Sequence, residues 1–337
     1  MRRLRVGLIG VGRFGQEHAR NLATRVPDTE LVAVCASHLD HARAVAEELD
    51  VPAYYDDPAA LCADPAVEAV AICTNTASHV ELLKLAMEHG KHVFCEKPLA
   101  ETVEKCREAE AVVAAHPELF CMLGFMRRFD HSYVIARERI ARGDIGDIVM
   151  VRCSSQDPAS TIEGTLAYAP RSSGIFIDLA IHDIDLIRYL TGSEPARCWA
   201  IGGCYAYDVL RQYGDGDNVS AMLQMESGAM ATIFAGRAAA QGSAVETEII
   251  GTRGTLRIAA VPADSLLEIM GPGGVTRECY QDFIPRWHDA YVAEMEYFAA
   301  CVLSGTRPEP GVPDGTRNTA TAFALQESFR HGGLVEL

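Results

Sequence analysis

The first 124 residues alternate between apolar runs of strand length and segments with helical periodicity, and this alternation constrains the fold more than any other feature. Strands are predicted at residues 4–10, 30–36, 69–74, 91–95 and 119–124. Helices are predicted between them, at residues 14–24, 38–49, 78–89 and 102–115. Strands that are joined by helices in this way form a parallel sheet with helices on both faces. The sequence therefore predicts an α/β domain.

A glycine-rich turn, with the sequence Gly-Val-Gly-Arg-Phe-Gly, joins the first predicted strand to the first predicted helix. A GxGxxG pattern in this context is typical of a dinucleotide-binding site. The first glycine permits a tight turn, the second lets the backbone approach a pyrophosphate, and the third lets helix and strand pack closely. The helix N-terminus supplies amide donors to the phosphates. The predicted cofactor-binding residues here are Gly10, Gly12, Arg13, Phe14 and Gly15.

The end of the second predicted strand bears on the choice between NAD and NADP. NAD sites usually place an acid there, which binds the ribose 2′-hydroxyl. This chain instead has Ala36, followed by Ser37 and His38. Ser37 can bond either a hydroxyl or a phosphate, and His38 is either a phosphate contact or a surface residue at a helix N-terminus. All three are predicted to bind the cofactor, which is NAD or NADP.

After residue 124 the strands follow one another without intervening helices. Helices are predicted at residues 133–142 and 175–190 around a strand at 148–155, and then strands at 196–203, 217–225, 230–236, 244–251, 254–259 and 266–270. Helices at residues 289–303 and 314–330 end the chain. This pattern predicts an α+β domain with a large, mostly antiparallel sheet. The predicted domains are residues 1–123 and 124–337. The helix at 314–330 could pack back on the first of these domains.

Composition excludes several classes of partner. The net charge of −16 repels nucleic acid and anionic lipid, and no apolar run approaches the roughly 20 residues of a membrane span. The 11 cysteines include no CxxC pair, which favours reduced thiols over a disulfide framework or a zinc site. No signal-peptide pattern opens the sequence. We therefore expect a cytoplasmic protein that binds neither nucleic acid nor membranes and needs no metal.

Four further motifs follow the glycine-rich turn. They are Thr-Asn-Thr-Ala-Ser-His at residues 74–79, Glu-Lys-Pro at 96–98, Gly-Phe-Met-Arg-Arg-Phe-Asp at 124–130, and Gly-Ile-Phe-Ile-Asp-Leu-Ala-Ile-His-Asp at 174–183. In this order, and over nearly the whole chain, they resemble the Gfo/Idh/MocA oxidoreductase family. The last two look most like inositol 2-dehydrogenases. The resemblance implies a Rossmann domain and a mixed-sheet domain whose open face forms homodimers or homotetramers.

The resemblance also implies roles for individual residues. The catalytic residues would be Lys97, Asp178 and His182. Further cofactor contacts would come from Thr74, Asn75, His79, Glu96 and Lys97. The polyol would be bound by Arg127 and Asp157, and we add Tyr168, Arg237 and His288 as candidate substrate-binding residues. Tyr168 lies in residues 155–173, which we interpret as a loop that could cover the substrate.

The chemistry of alcohol oxidation suits the three proposed catalytic residues. The alcohol loses a hydride to the nicotinamide and a proton to a base. A neutral histidine, with an ordinary pKa near ~6.5, matches the second task. His182 follows Asp178 by four residues, which on one helix would place both on the same face. Lys97 would polarise the reacting oxygen. The nearby Asp183 and Asp185 are interpreted as surface acids, although Asp185 could instead orient His182.

These features predict NAD(P)-dependent oxidation of a secondary hydroxyl of a cyclic polyol, with myo- or scyllo-inositol favoured. One departure from many inositol dehydrogenases is the lack of a tyrosine near residues 233–237, where Phe234 and Arg237 occur instead. Other sugar or sugar-acid dehydrogenases and a redox-neutral NAD-dependent glycosidase stay open as alternatives. A non-enzymatic NAD(P)-bound sensor would be expected to lose Lys97 or the Asp178 and His182 pair.

Overall fold

The chain forms two units in a computed structural model that describes residues 2–258 and 263–337. Unit one contains the chain up to Phe129 together with Asp289–Thr319. Unit two contains Asp130–His288 and Ala320–Leu337. The domain boundary that the sequence suggests after residue 123 stays a prediction.

Unit one contains the alternating strands and helices that the sequence predicts. Its strands are β1 (Leu4–Ile9), β2 (Thr29–Cys35), β3 (Ala53–Tyr55), β4 (Ala69–Ile72), β5 (His92–Glu96) and β6 (Cys121–Gly124). Its helices are α1 (Arg13–Thr24), α2 (Leu39–Leu49), α3 (Pro58–Ala63), α4 (His79–Glu88) and α5 (Val103–Ala115). Sequence reasoning missed β3 and α3, because three strand residues and six helical residues are too short to show a period.

The sheet of unit one is parallel throughout, in the order β3-β2-β1-β4-β5-β6. The chain runs outward from β1 through β2 to β3 and then returns to the other side of β1 as β4. In open α/β sheets, ligands bind at the carboxyl ends of the strands where the order reverses in this way. The predicted α/β domain with a Rossmann sheet is confirmed.

Unit two contains a larger mixed sheet. Its helices are α6 (His131–Ala141), α7 (Ile162–Tyr168), α8 (Ile175–Asp178) and α9 (Ile181–Thr191). Its strands are β7 (Ile148–Pro158), β8 (Pro195–Gly203), β9 (Asn218–Met225), β10 (Met230–Ala239), β11 (Ala244–Gly251), β12 (Thr255–Ile258), β13 (Ala263–Gly271), β14 (Gly274–Cys279) and β15 (Val335–Glu336). Two further helices, α10 (Phe283–Ser304) and α11 (Val312–His331), begin in one unit and end in the other.

Seven strands of unit two pair in the order β12-β11-β7-β10-β9-β8-β15, and β13 and β14 pair separately. Every pair is antiparallel except β7 with β10, so the predicted mostly antiparallel sheet is confirmed. The predicted strand at residues 254–259 is present as β12, and its last residue, Ala259, lies outside the described residues. Sequence reasoning missed β14 and β15, whose residues show no alternation between buried and exposed positions.

The core of unit one accounts for the later segment of the chain that belongs to it. Leu4, Leu8 and Phe94 on its central strands are buried in one cluster with Met295 and Phe298 of α10. Burial of a large apolar side chain contributes roughly 1.5–3 kcal/mol, so these contacts bind α10 firmly to the sheet. The part of α10 that starts at residue 289 is therefore part of the Rossmann unit.

One face of the unit-two sheet carries a patch of exposed apolar side chains. The patch consists of Trp199, Ile201, Met222, Met230 and Phe234, which are between 38% and 51% exposed. Register places Met222 opposite Trp199 on one side and opposite Thr232 on the other, and Thr232 lies between Met230 and Phe234 on the same face of β10. Contiguous apolar surface of this kind marks an interaction site.

Candidate active site

The turn after β1 needs glycine at two of its three fingerprint positions. Gly10 has φ +98°, and a Cβ there would lie 2.7 Å from the carbonyl oxygen of Cys73. A Cβ on Gly15 would lie 1.8 Å from the carbonyl oxygen of Gly10. Gly12 is the N-cap residue of α1, and it has no side chain that could bond to the first amides of the helix. The first amides of α1 thus face outward past a residue without a Cβ, an arrangement that fits a dinucleotide pyrophosphate.

The other predicted residues of this region lie around the same strand ends. Arg13 is exposed at the start of α1, whereas Phe14 is half-buried, with its ring 5.0 Å from that of Tyr291 in the same unit. Ser37 is exposed, and His38 is exposed at the N-cap of α2. The side chain of Phe14 is therefore held by packing, while those of the polar residues are accessible to a ligand.

His79 links two of the motifs that were assigned to the cofactor site. It is 1% exposed, its Nδ1 lies 2.9 Å from the carbonyl oxygen of Pro98, and its Nε2 lies 3.2 Å from that of Thr74. Burial lowers the pKa of His79, so a neutral ring that donates one hydrogen bond is favoured. Asn75 caps the 3-10 turn that precedes α4. His79 therefore holds the end of β4 against the segment that follows β5.

A buried polar cluster lies beside Lys97 in unit one. Glu96 Oε1 is 2.8 Å from His18 Nε2, and Glu96 Oε2 accepts a hydrogen bond from the Lys97 backbone N–H at 3.1 Å. Glu294 of α10 is fully buried and lies near both His18 and Glu96. Burial, and then the charge of Glu96, raise the pKa of Glu294 well above its ordinary value. Burial and the neighbouring charge thus both favour the protonated form of Glu294.

His18 and Glu294 are functional-site candidates that sequence reasoning missed. Within the described ranges, 2–258 and 263–337, they and Glu96 form the group of potential metal ligands whose atoms lie within 4.8 Å of one another. The available signal was the position of His18, three residues after Gly15 on the same helix. Nothing in the sequence around Glu294 distinguishes it from the other acids of the C-terminal helices.

In unit two, a buried arginine holds one of the proposed catalytic residues. Arg237 is 2% exposed, and it donates to Asp178 Oδ2 at 2.9 Å and to Asp215 Oδ2 at 3.0 Å. Burial opposes the charge of Arg237, but Asp178 and Asp215, and then Asp157, raise its pKa overall. Asp215 also accepts the backbone N–H of Ile175 at 2.9 Å. The Asp178 carboxylate is thus fixed by the Arg237 guanidinium at the end of α8.

The long helix predicted around residues 175–190 is interrupted, and this part of the prediction is wrong. α8 ends at Asp178, and α9 begins three residues later. The Ala180 N–H bonds to the Ile175 carbonyl oxygen at 3.0 Å, five residues back instead of four. His182, which is 7% exposed, therefore lies in the first turn of a new helix. Asp178 and His182 therefore lie on two successive short helices, and the argument from a spacing of four residues on one helix does not apply.

Two acids beside His182 also differ from expectation. Asp183 is fully buried and Asp185 is 1% exposed, so their interpretation as surface acids is wrong. Asp183 Oδ1 accepts a hydrogen bond from Ser155 at 2.7 Å. α9 packs on β7, and this bond joins the two elements. A polar group this deeply buried needs such a hydrogen-bond partner.

The remaining candidates occupy varied environments. Arg127 is 3% exposed in unit one, while its neighbour Arg128 forms an ion pair with Asp314 at 3.3 Å. Asp157 lies near the end of β7, and His288 is half-buried on α10.

Residues 155–173 are not the loop that the sequence suggests. The end of β7, the helix α7 and two 3-10 turns occupy them, and Tyr168 is the last residue of α7. Phe234 belongs to the exposed sheet face and Arg237 to the buried ion-pair network. The absence of a tyrosine in this strand therefore coincides with an arginine that binds Asp178.

Comparison with known proteins agrees with the fold and with these motifs. Residues 4–125 match the Gfo/Idh/MocA model, described as an oxidoreductase family with an NAD-binding Rossmann fold. Residues 133–257 match the model of a Gfo/Idh/MocA C-terminal domain. The two models together cover most of the chain.

Individual relatives match over nearly their whole length. The scyllo-inositol 2-dehydrogenase (NAD(+)) of Bacillus subtilis strain 168 is 35% identical over 99% of this chain and 96% of its own. The inositol 2-dehydrogenase of Rhizobium meliloti strain 1021 is also 35% identical, over 96% of each chain. The crystal structure of scyllo-inositol dehydrogenase from Lactobacillus casei, with bound NAD(H) and scyllo-inositol, is 37% identical, covers 99% of each chain and has a TM-score of 0.95. This chain is therefore a member of the Gfo/Idh/MocA oxidoreductase family and binds its nicotinamide cofactor through the Rossmann sheet of unit one.

Proposed function

We propose that the protein oxidises one secondary hydroxyl of myo- or scyllo-inositol to the keto-inositol with NAD or NADP. The observation that carries this proposal is the full-length likeness to relatives that are named for inositol oxidation, in a chain that retains Lys97, Asp178 and His182. The nicotinamide, when bound, accepts the hydride. The chain must bind and orient the alcohol and remove its proton.

Lys97 polarises the reacting hydroxyl in this proposal. It follows β5 at the carboxyl end of the parallel sheet, where open α/β sheets bind ligands. Its backbone N–H is held by Glu96, whose other carboxylate oxygen is held by His18. A positively charged ammonium group stabilises the negative charge that develops on oxygen as the proton leaves.

Asp178 and His182 complete the catalytic residues that we propose. Asp178 is fixed by Arg237, so its carboxyl group can accept a hydrogen bond from a substrate hydroxyl in a set orientation. His182 is the proton acceptor, because a neutral imidazole is the side chain best matched to that task near neutral pH. We propose Arg127, Asp157, Tyr168 and His288 as further polyol contacts. Arg237, which the sequence suggested as a polyol contact, is proposed to act by positioning Asp178.

The test is an absorbance assay at the reduced-nicotinamide band with myo-, scyllo- and chiro-inositol and common aldoses, with NAD and NADP separately. We expect cofactor reduction with an inositol. Lys97→Ala should lower kcat/KM by at least about 100-fold, while cofactor affinity is largely retained because the glycine-rich turn lies elsewhere in the unit. Lys105→Ala is the matched control, since Lys105 is exposed on α5 and pairs with Glu108.

The outcomes separate the alternatives. Reduction with an aldose alone would favour another sugar dehydrogenase. Consumption of a glycoside without net reduction would favour the redox-neutral reaction. Wild-type turnover in the Lys97→Ala variant would contradict the catalytic assignment.

We also propose that the protein is a cytoplasmic homodimer or homotetramer. Its 11 cysteines are all free thiols, which suits a reducing compartment. Within the described residues, no helix has the length and apolar character to cross a membrane. A second copy that covers Trp199, Ile201, Met222, Met230 and Phe234 would remove the exposed apolar patch from water.

Light scattering on the protein as it elutes from a size-exclusion column measures the molar mass of the assembly. Met222→Lys places a charge at the centre of the patch and should yield smaller species. Ile135→Lys is the control, because Ile135 is 39% exposed on α6 and is not part of the patch. A monomeric wild type, or an assembly that Met222→Lys leaves intact, would contradict this interface.

A further inference from the structure

The carboxyl end of β3 lies directly beside the strand end where the ribose acid is missing. β2 and β3 run parallel, with Cys35 paired to Tyr55. The Ala36 N–H donates to the Tyr55 carbonyl oxygen at 3.1 Å. Asp56, the next residue, therefore leaves the sheet alongside Ala36, and its side chain is exposed.

The electrostatics of Cys35 agree with this placement. Burial raises the pKa of the Cys35 thiol to about 12, and the charges of Asp57 and Asp56 add to that rise. Both carboxylates therefore act on the end of β2. Asp57 accepts a hydrogen bond from the Ala59 N–H at 2.9 Å and is the N-cap residue of α3, so its carboxylate is engaged by the helix. Asp56 has an exposed carboxylate at the same edge.

The positively charged side chains between Ala36 and Asp57 do not balance the negative charge of the acids there. Residues 36–57 contain six acids and a single arginine, Arg43. Arg43 forms an ion pair with Glu47 at 2.8 Å within α2. His41 Nε2 lies 3.3 Å from the side-chain nitrogen of Gln16. NADP sites usually contain an arginine that binds the 2′-phosphate. The single arginine of residues 36–57 is already paired, and the other arginine at these strand ends, Arg13, begins α1 after the glycine-rich turn.

We propose that Asp56 replaces the missing acid of β2, accepting the ribose 2′-hydroxyl of NAD and repelling the 2′-phosphate of NADP. Membership of the family establishes the dinucleotide-binding unit but does not assign the residue that selects the cofactor. The inference concerns unit one alone and is independent of which alcohol is oxidised.

Titration of the full-length protein with NAD⁺ and with NADP⁺ gives the two dissociation constants. We expect wild type to bind NAD⁺ at least about tenfold more tightly, which corresponds to about 1.4 kcal/mol. Asp56→Asn removes the charge and keeps a hydrogen-bonding group, so it should narrow the ratio mainly by tightening NADP⁺ binding. Asp56→Ala should in addition weaken NAD⁺ binding. Added salt should narrow the wild-type ratio.

Glu30→Gln is the matched control. Glu30 is exposed at the amino end of β2, so this change removes one negative charge from the same strand, far from the cofactor edge. The ratio of dissociation constants should then stay at the wild-type value. Equal or tighter wild-type binding of NADP⁺, or an unchanged ratio in Asp56→Asn, would overturn the proposal. Because binding is measured without a substrate, failure of the inositol assay leaves this result interpretable.

Discussion

Replacement of Glu294 by glutamine keeps the size and shape of the side chain and removes its ionisable group. In the wild type this carboxyl is fully buried near the Glu96 carboxylate, and both features raise its pKa well above the ordinary value of 4.5. Glutamine is neutral at every pH. The two proteins therefore differ in the proton equilibrium of Glu294 and in its coupling to Glu96, while the contributions of more distant groups cancel in the difference.

The sign and size of the effect follow from linkage. Above pH 4.5 the unfolded wild type loses the Glu294 proton, while the folded protein retains it. The stability that this group contributes is fully present below its unfolded pKa and is lost as the pH rises through the folded pKa. Each pH unit in that window costs the wild type about 1.4 kcal/mol relative to the variant. Two pH units amount to roughly 2.7 kcal/mol, or roughly 5–10 °C in the melting temperature of a unit of this size.

Thermal and denaturant unfolding at several pH values between 5 and 8 measures the difference. We expect Glu294→Gln to be increasingly more stable than wild type as the pH rises. Glu30→Gln reports what the loss of one exposed surface carboxyl contributes in the same unit. A difference that stays constant with pH, or that reverses in favour of wild type, would refute the reasoning. It would mean that Glu294 is ionised in the fold and balanced by a cation at its cluster with His18 and Glu96.

Further substitutions test the glycine-rich turn after β1 and the ion pairs of Arg237. Gly15→Ala should lower both the melting temperature and cofactor affinity, because its Cβ would meet the Gly10 carbonyl oxygen, whereas Gly12→Ala has open space and should leave the melting temperature unchanged in calorimetry. Arg237→Met should destabilise the protein by about 3–5 kcal/mol in denaturant unfolding, because it removes the ion-pair partner of the buried Asp215 carboxylate. Arg237→Lys should lose less stability, and both changes should lower kcat through Asp178 while NAD affinity is unchanged. Wild-type stability of Arg237→Met would show that the ion pairs contribute nothing.

The sequence predicts most of the fold because the signals are local. Alternating strands and helices, with the glycine turn after β1, suffice for a parallel sheet with its ligand-binding edge. The missed elements β3 and α3 are those with the fewest residues. β3 matters for function because it brings Asp56 beside Ala36, a neighbour that depends on strand order and not on sequence separation.

The site was less predictable than the fold. Periodicity extends a helix through residues 175–190, but the structure interrupts it after Asp178. At the start of α8, Gly174 adopts φ +109°, and a Cβ there would lie 2.4 Å from the Gln326 side chain. The backbone of Ile175 then bonds to Asp215. Asp215 is 40 positions from Ile175, and Gln326 is 152 positions from Gly174, so no local pattern of residues could predict these contacts.

Both units place a buried charged residue behind a proposed catalytic one. Glu96 is 6% exposed and holds the Lys97 backbone, and Arg237 is 2% exposed and holds the Asp178 carboxylate. Sequence reasoning assigned both Glu96 and Arg237 as ligand contacts, because a motif does not distinguish a side chain that touches a ligand from one that fixes its neighbour. Burial makes that distinction, since a charge that is enclosed by protein partners acts on a ligand mainly through the residues it holds. Substitutions at such positions should therefore change turnover and stability together, whereas an exposed contact such as Asp56 should change affinity alone.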